Sequence, residues 1–473
     1  MKKNYIYLQA KRIFIILISS IVLIGCSGTG RNYNVSNSES EININNISTV
    51  NPEIEQIINP DRSLFYGKTL TIATDFGVLL QDFARRYMEE NRGVTIEIID
   101  YWPYHERDGS WDTARQEIAT QLMTGSAPVL INAVLTDSLN PRITDFFYDW
   151  FPVMYADPYF YEADWFMNVF HAASNNGRLY EFPLDFDFST IGINSSVTGL
   201  YEQWAWRDTI TASELIKLHE ELQTEKPYYI TWRFVPSWVL TSFFIDNFID
   251  LESNRIDFGK EFIEFITNLQ NITNPFGEFI NFSHVPREVE IIRGDTYLFE
   301  IYLSPSIRHR TYEDEFDLFL YPKPIVNEQG ELLIRLFGSF LLNANASPIE
   351  HALAWDFIKF TSEPLFEGWV PTFRLSTNKN MMRYSLRIRF SDQIQHGNWR
   401  IEGNLNDVIE SEINNIIKLT EMPMSRHSEL PATILRNISQ TMIQFDNGLV
   451  SAEATASTLQ NQVELMLMEM GIR

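Results

Sequence analysis

Asp185 and Asp187 alternate with Phe186 and Phe188 inside the run 180–194, YEFPLDFDFSTIGIN. Two carboxylates at that spacing could accept hydrogen bonds from a polyhydroxylated solute, or act as an acid and a base. On a strand, the two-residue period puts both carboxylates on one face and both rings on the other. Pro183 holds the backbone extended just upstream, and Gly192 permits close approach of a neighbouring backbone. Such a strand suits a wet cleft between two lobes, and it equally suits an ordinary half-buried sheet.

The elements upstream narrow the choice. Segments 70–73, 94–99 and 129–134 read as strands. Between them, Leu79, Phe83 and Tyr87, then Ala114, Ile118 and Leu122, recur at helical spacing, and Gly125 stops the second helix. Strand–helix–strand–helix–strand implies an α/β fold with a parallel, doubly wound sheet, which takes ligands at the carboxyl ends of its strands. Those ends carry Asp75 and Phe76, Tyr101 and Trp102, and Thr136 and Asp137. No glycine fingerprint follows the first strand, so a dinucleotide fold is excluded.

The chain opens with an address. Lys2, Lys3, Lys11 and Arg12 precede an apolar run from Ile13 to Ile24, and no acid appears before Cys26. This reads as a secretion signal over 1–25, with an apolar core too short for a stable span. Its end, Leu23-Ile24-Gly25-Cys26, resembles the bacterial lipoprotein cleavage box, in which the cysteine carries the lipid. Cys26 is the only cysteine of 473 residues, so a disulfide framework is excluded. Residues 26–67, rich in Ser, Asn and Glu, read as a disordered tether with an end-to-end distance of about 40 Å. The net charge of −25 becomes −29 without the four basic leader residues. A surface of that sign disfavours nucleic acid and anionic lipid headgroups as partners.

From Lys68 onward the chain resembles family 1 extracellular solute-binding proteins, the receptors of ABC importers. Thr124-Gly125-Ser126-Ala127-Pro128-Val129-Leu130-Ile131 is similar to the family's Gly-x-x-Pro-Asp-Ile segment, with Val129 in place of the acid. Tyr148–Pro152 and Asp157-Pro158 resemble the region that follows. Gly177–Asn194 resembles the Gly-Lys-Leu-Tyr-Gly-Leu-Pro crossing strand, with Ile193 for the usual aromatic. Arg293–Phe299 resembles a strand reaching the cleft from the second lobe. Phe337–Asn343 and Trp369–Thr377 resemble further crossings.

The resemblance implies a periplasmic-binding-protein-like fold of type II, with two α/β lobes joined by crossing hinge strands. The first lobe would hold 68–185 and 338–372, the second 186–337 and 373–473. It implies capture of a small solute, most simply a saccharide, by a monomer that hands it to ABC permease subunits while Cys26 anchors it to the membrane. No cofactor and no metal is implied. Sugar C–H faces lie flat on aromatic planes, and their hydroxyls need polar partners. To Phe76, Tyr101, Trp102, Asp137, Asp185 and Asp187 the resemblance therefore adds Trp232, Trp238, Glu300, Phe373 and Arg374 as ligand contacts. Two other functions compete. A secreted carbohydrate-active hydrolase needs two carboxylates roughly 5–10 Å apart on either side of a bond, whereas Asp185 and Asp187 share one strand. A solute sensor partnering a membrane kinase would use the same fold.

Overall fold

The computed structural model describes residues 51–108, 111–160, 164–193, 208–222, 229–230, 236–251, 253–273, 296–302, 323–364, 374–396, 404–428 and 430–472. All of them lie in the compact unit Val50–Arg473. Among them no helix is long and apolar enough to cross a membrane.

The first sheet follows from the alternating pattern. Strands β1 (Thr69–Thr74), β2 (Thr95–Asp100) and β3 (Leu130–Asn132) run parallel, with Ile72 opposite both Ile98 and Leu130. Helix α1 (Gly77–Glu90) links β1 to β2, and α2 (Asp112–Thr124) precedes β3. Alternate β1 residues feed opposite cores. Leu70 and Ile72 pack with Leu80 and Phe83 of α1, while Ala73 packs with Ala114, Ile118 and Leu122 of α2. Both faces are thus covered, as a parallel sheet requires. Gly125 ends α2 with φ +72°, a conformation that glycine adopts without Cβ strain.

The second sheet is strung on β4 (Asp185–Ile193). It is joined by β5 (Thr296–Tyr302), β6 (Lys323–Val326), β7 (Leu332–Phe337) and a short β9 (Leu375–Ser376), all antiparallel to β4. Strand β8 (Phe340–Leu342), three residues beyond β7, leaves this sheet and closes the first one beside β3. Gly338 makes that passage with φ +56°. Strand β10 (Met424–Arg426) lies parallel to β7.

Phe186 and Phe188 are fully buried against helices α4 (Lys379–His396) and α5 (Leu405–Thr420) and against Phe166 and Val169. A separate core gathers Ile210, Leu215, Leu240, Phe262 and Leu269 with α6 (Ala432–Asp446) and α7 (Ala452–Glu469). Leu459 and Val463 of α7, and Met470 just past its end, belong to it. Helix α3 (Pro348–Thr361) covers the first sheet and opens with a capping box, the Glu350 carboxylate accepting from the Ser347 backbone N–H at 2.8 Å.

One expectation fails at the end of the tether. Pro52–Ile58 is helical, capped by Asn51, and Ile57, Ile58 and Phe65 are buried in the first core. A helix of two turns becomes stable there because its apolar face docks on α3, whatever its polar composition suggests. Among the described residues many aromatic rings are also core. Phe160 stacks on Trp165 at 4.2 Å and on Trp355 at 4.9 Å, and Trp150 and Phe182 complete the group.

Candidate functional site

A cavity of about 480 Å³ opens where the carboxyl ends of β1 and β3 face the β7–β8 passage and the chain from Arg426 to Leu435. The first sheet contributes Asp75, Phe76 and residues 132–139. The passage contributes Arg335 to Ser339, and the far wall is Arg426, His427, Ser428 and the start of α6.

Polar groups bridge the walls. Asp137, just past β3, accepts from the Ala432 backbone N–H at 2.8 Å and from the Thr433 hydroxyl, and so caps α6 from the opposite side of the cleft. Glu181 accepts from Ser138 and from Arg426, and Arg436 of α6 pairs with Asp112 at the start of α2. Further in, Asp187 takes Arg335 at 2.8 Å and faces Arg374 at 3.7 Å, and the Arg374 guanidinium lies over the Phe337 ring at 3.1 Å. The alternation in β4 does what its spacing implies: the rings go into the core and Asp187 turns to the arginines of the cleft.

Burial sets the protonation states. It pushes the Asp75 carboxyl up to about 6, and it raises Asp137 against the opposing pull of the Ala432 N–H and Arg115. Burial likewise lowers Arg374 and Arg115, and drives His427 down to about 3, so His427 is a neutral wall residue at neutral pH. Asp75 has a measurable consequence. The folded protein holds its proton up to about pH 6, whereas the unfolded chain releases it near 3.8. The stability this proton contributes is therefore present at low pH and is lost as pH rises through 6. The melting temperature of Asp75→Asn minus that of wild type should climb between pH 4 and 7. A difference that stays flat would contradict the buried carboxyl.

The residues singled out from sequence fall into five groups. Phe76, Asp137 and Arg374 line the cavity, with Asp187 directly behind Arg335 and Arg374. Asp185 stands opposite Phe337 in the β4–β7 ladder, beside the passage, and Glu300 stands opposite Ile191. Trp102 is 45% exposed outside the cavity, with its indole N–H on Glu106 at 2.8 Å and its ring stacked on His105. Two expected contacts stand apart from the cavity lining. Tyr101 is 1% exposed, its hydroxyl donating to Glu117 at 3.0 Å, because the strand exit turns that ring under the sheet. Trp238 packs on the second core and against Phe243 at 5.0 Å. Trp232 and Phe373 lie outside the described residues.

Sequence reasoning passed over Asn132, Glu181, Ser339 and Arg426. Glu181 sits beside the Phe182-Pro183 signal, yet its partner Arg426 is 245 residues away. No local pattern announces such a pair. Trp111, which meets His105 at 4.6 Å and so extends the Trp102 surface, was also missed.

The architecture defines a class: a two-lobed α/β protein of the periplasmic-binding-protein-like type II fold. The sugar-binding protein MalE from Xanthomonas citri is similar over 85% of this chain and 98% of its own, at 13% identity and TM-score 0.57. A family 1 extracellular solute-binding protein from Bifidobacterium longum subsp. infantis matches over 85% and 100%, at 12% identity and TM-score 0.53. A periplasmic oligogalacturonide binding protein from Yersinia enterocolitica matches over 86% and 100%, at 13% identity and TM-score 0.53. No family model matches the sequence, and no curated protein matches it significantly. Among the described residues no group of three or more His, Cys, Asp or Glu could hold a metal ion.

Proposed function

We propose that the protein is an extracytoplasmic solute receptor that captures a sugar or oligosaccharide between its lobes and delivers it to an ABC transporter. The lobes divide at 185/186, 337/338 and 372/373, and the chain is tethered by lipid on Cys26. The observation that carries this reading is the cavity itself. It is walled by strand ends of one sheet, by the strand that passes between sheets and by the facing helix α6, and polar pairs connect its two sides. That is a place to enclose a solute, and hinge motion about the passages would open it. The similar proteins named above, described as binding sugars or oligogalacturonide, support the same role. Asp185 and Asp187 leave one strand side by side, and Asp187 is committed to two arginines, which suits gripping better than attack from both sides of a bond.

A thermal-shift screen of the mature chain against neutral mono- and oligosaccharides, amino acids and short peptides tests the reading. At least one saccharide should raise the melting temperature by several degrees, since a ligand at 100 times its Kd adds about 2.7 kcal/mol. A screen in which only amino acids or peptides act would remove the saccharide. The tether is tested separately. Cys26→Ser should move the expressed protein from the membrane fraction to the soluble exported fraction, and unchanged fractionation would remove the lipid.

A further inference from the structure

Four polar side-chain atoms that line this one cavity are buried without a hydrogen-bond partner: Asp75 Oδ1, Asn132 Nδ2, Ser339 Oγ and Arg426 Nε. Asn132 is 3% exposed and Ser339 4%, and the Arg426 side chain is 8% exposed. Their placement is built into the strands. Asn132 faces Phe340 in the β3–β8 register, and the Ala133 N–H donates to the Ser339 carbonyl at 2.9 Å, so the two side chains stand on adjoining backbones. Asn132 already uses its Oδ1 on the Val134 N–H at 3.0 Å, which leaves the amide donors over. Arg426 uses a terminal nitrogen on Glu181, which leaves Nε–H. Unpaired buried polar atoms each cost about 1–3 kcal/mol, so four around one cavity mark the place where a bound molecule completes them.

We infer that Asp75, Asn132, Ser339 and Arg426 form a single inner subsite that takes the hydroxyls of one neutral sugar ring. The inference rests on the solute-binding reading and names the chemistry of that site. The free set is three N–H donors on two nitrogens, one acceptor and one hydroxyl that can do either. Vicinal hydroxyls match it, because each donates once and accepts twice. The charges point to a neutral guest. The cavity's arginines, Arg115, Arg335, Arg374 and Arg426, face the lining carboxylates Asp75, Asp137 and Glu181, with Asp187 behind two of them. Among the described residues that line the cavity each of these cations faces a carboxylate, which disfavours an acidic sugar, and an amino acid would need separate anionic and cationic partners. Phe76, beside Gly338, supplies an apolar surface for the ring's C–H face.

The test is calorimetric titration of the mature chain with maltose, cellobiose, xylobiose and digalacturonate. Wild type should bind at least one neutral disaccharide and not digalacturonate. Ser339→Ala should weaken that binding about tenfold at unchanged melting temperature, and Asn132→Asp, which keeps the Oδ1 cap on Val134, should weaken it at least as much. A monodeoxy form of the bound disaccharide should lose affinity for wild type while losing none for the matching variant; this comparison holds even if one variant folds poorly. Binding of a neutral disaccharide by wild type and by both variants within twofold overturns the subsite and leaves the receptor reading intact. Preference for digalacturonate overturns the neutral guest. No saccharide binding to wild type overturns the receptor reading together with this one.

Discussion

Asp187→Ala should weaken saccharide binding by on the order of a hundredfold and lower the stability of the fold by about 1–3 kcal/mol. The carboxylate is 8% exposed and receives Arg335 at 2.8 Å, with Arg374 facing it at 3.7 Å. Removing it takes from the two guanidiniums the carboxylate they share, and Arg374 keeps only the weaker influence of Asp185 and Asp75. The stability loss stays moderate because the arginine side chains are 28% and 45% exposed and can be partly solvated. Asp187→Asn keeps one acceptor and should fall between alanine and wild type. Isothermal titration and chemical denaturation read the two effects separately. Unchanged affinity in the alanine variant would place this charge cluster outside the grip on solute.

The second large effect is pure packing. Trp355→Ala should destabilise by about 3–5 kcal/mol, read as a shifted denaturant midpoint, with solute affinity unchanged under conditions where the variant stays folded. Trp355 is fully buried between Phe160 and Trp150, and its indole N–H donates to Asp157 at 2.7 Å. Lys359 reaches the same carboxylate at 2.8 Å, so Asp157 remains paired when the indole goes. Trp355→Phe retains a ring without the N–H and should lose about half as much. A loss below 1 kcal/mol for alanine would mean that the aromatic cluster does not hold the first lobe together.

What was legible in the sequence was whatever depends on near neighbours. The period of two in Asp185–Phe188, the 3.6-residue spacing in α1 and α2, and Gly125 each carry their geometry within a few residues, and each appears as expected. The helix at Pro52–Ile58 was legible too, since Asn51-Pro52 is a cap followed by proline at the first position, but the polar composition of the segment masked it. The cleft was legible only in part. Phe76 and Asp137 follow from the rule that parallel strands present ligands at their carboxyl ends, and Arg374 follows from the family resemblance. Tyr101 obeys the same rule in position and fails in direction, because which way a ring turns at a strand exit depends on Glu117 in the next helix. Asn132, Ser339 and Arg426 come from three distant parts of the chain, and only the folded arrangement reveals that their spare hydrogen-bonding atoms share one cavity.

Calorimetric titration of the protein with a neutral oligosaccharide panel tests the central claim most directly. A solute receptor should give saturable heat at one solute per chain, and the Asp187→Ala variant should lose most of it. Heat that continues after saturation, as turnover would produce, or no heat with any saccharide, would contradict the account.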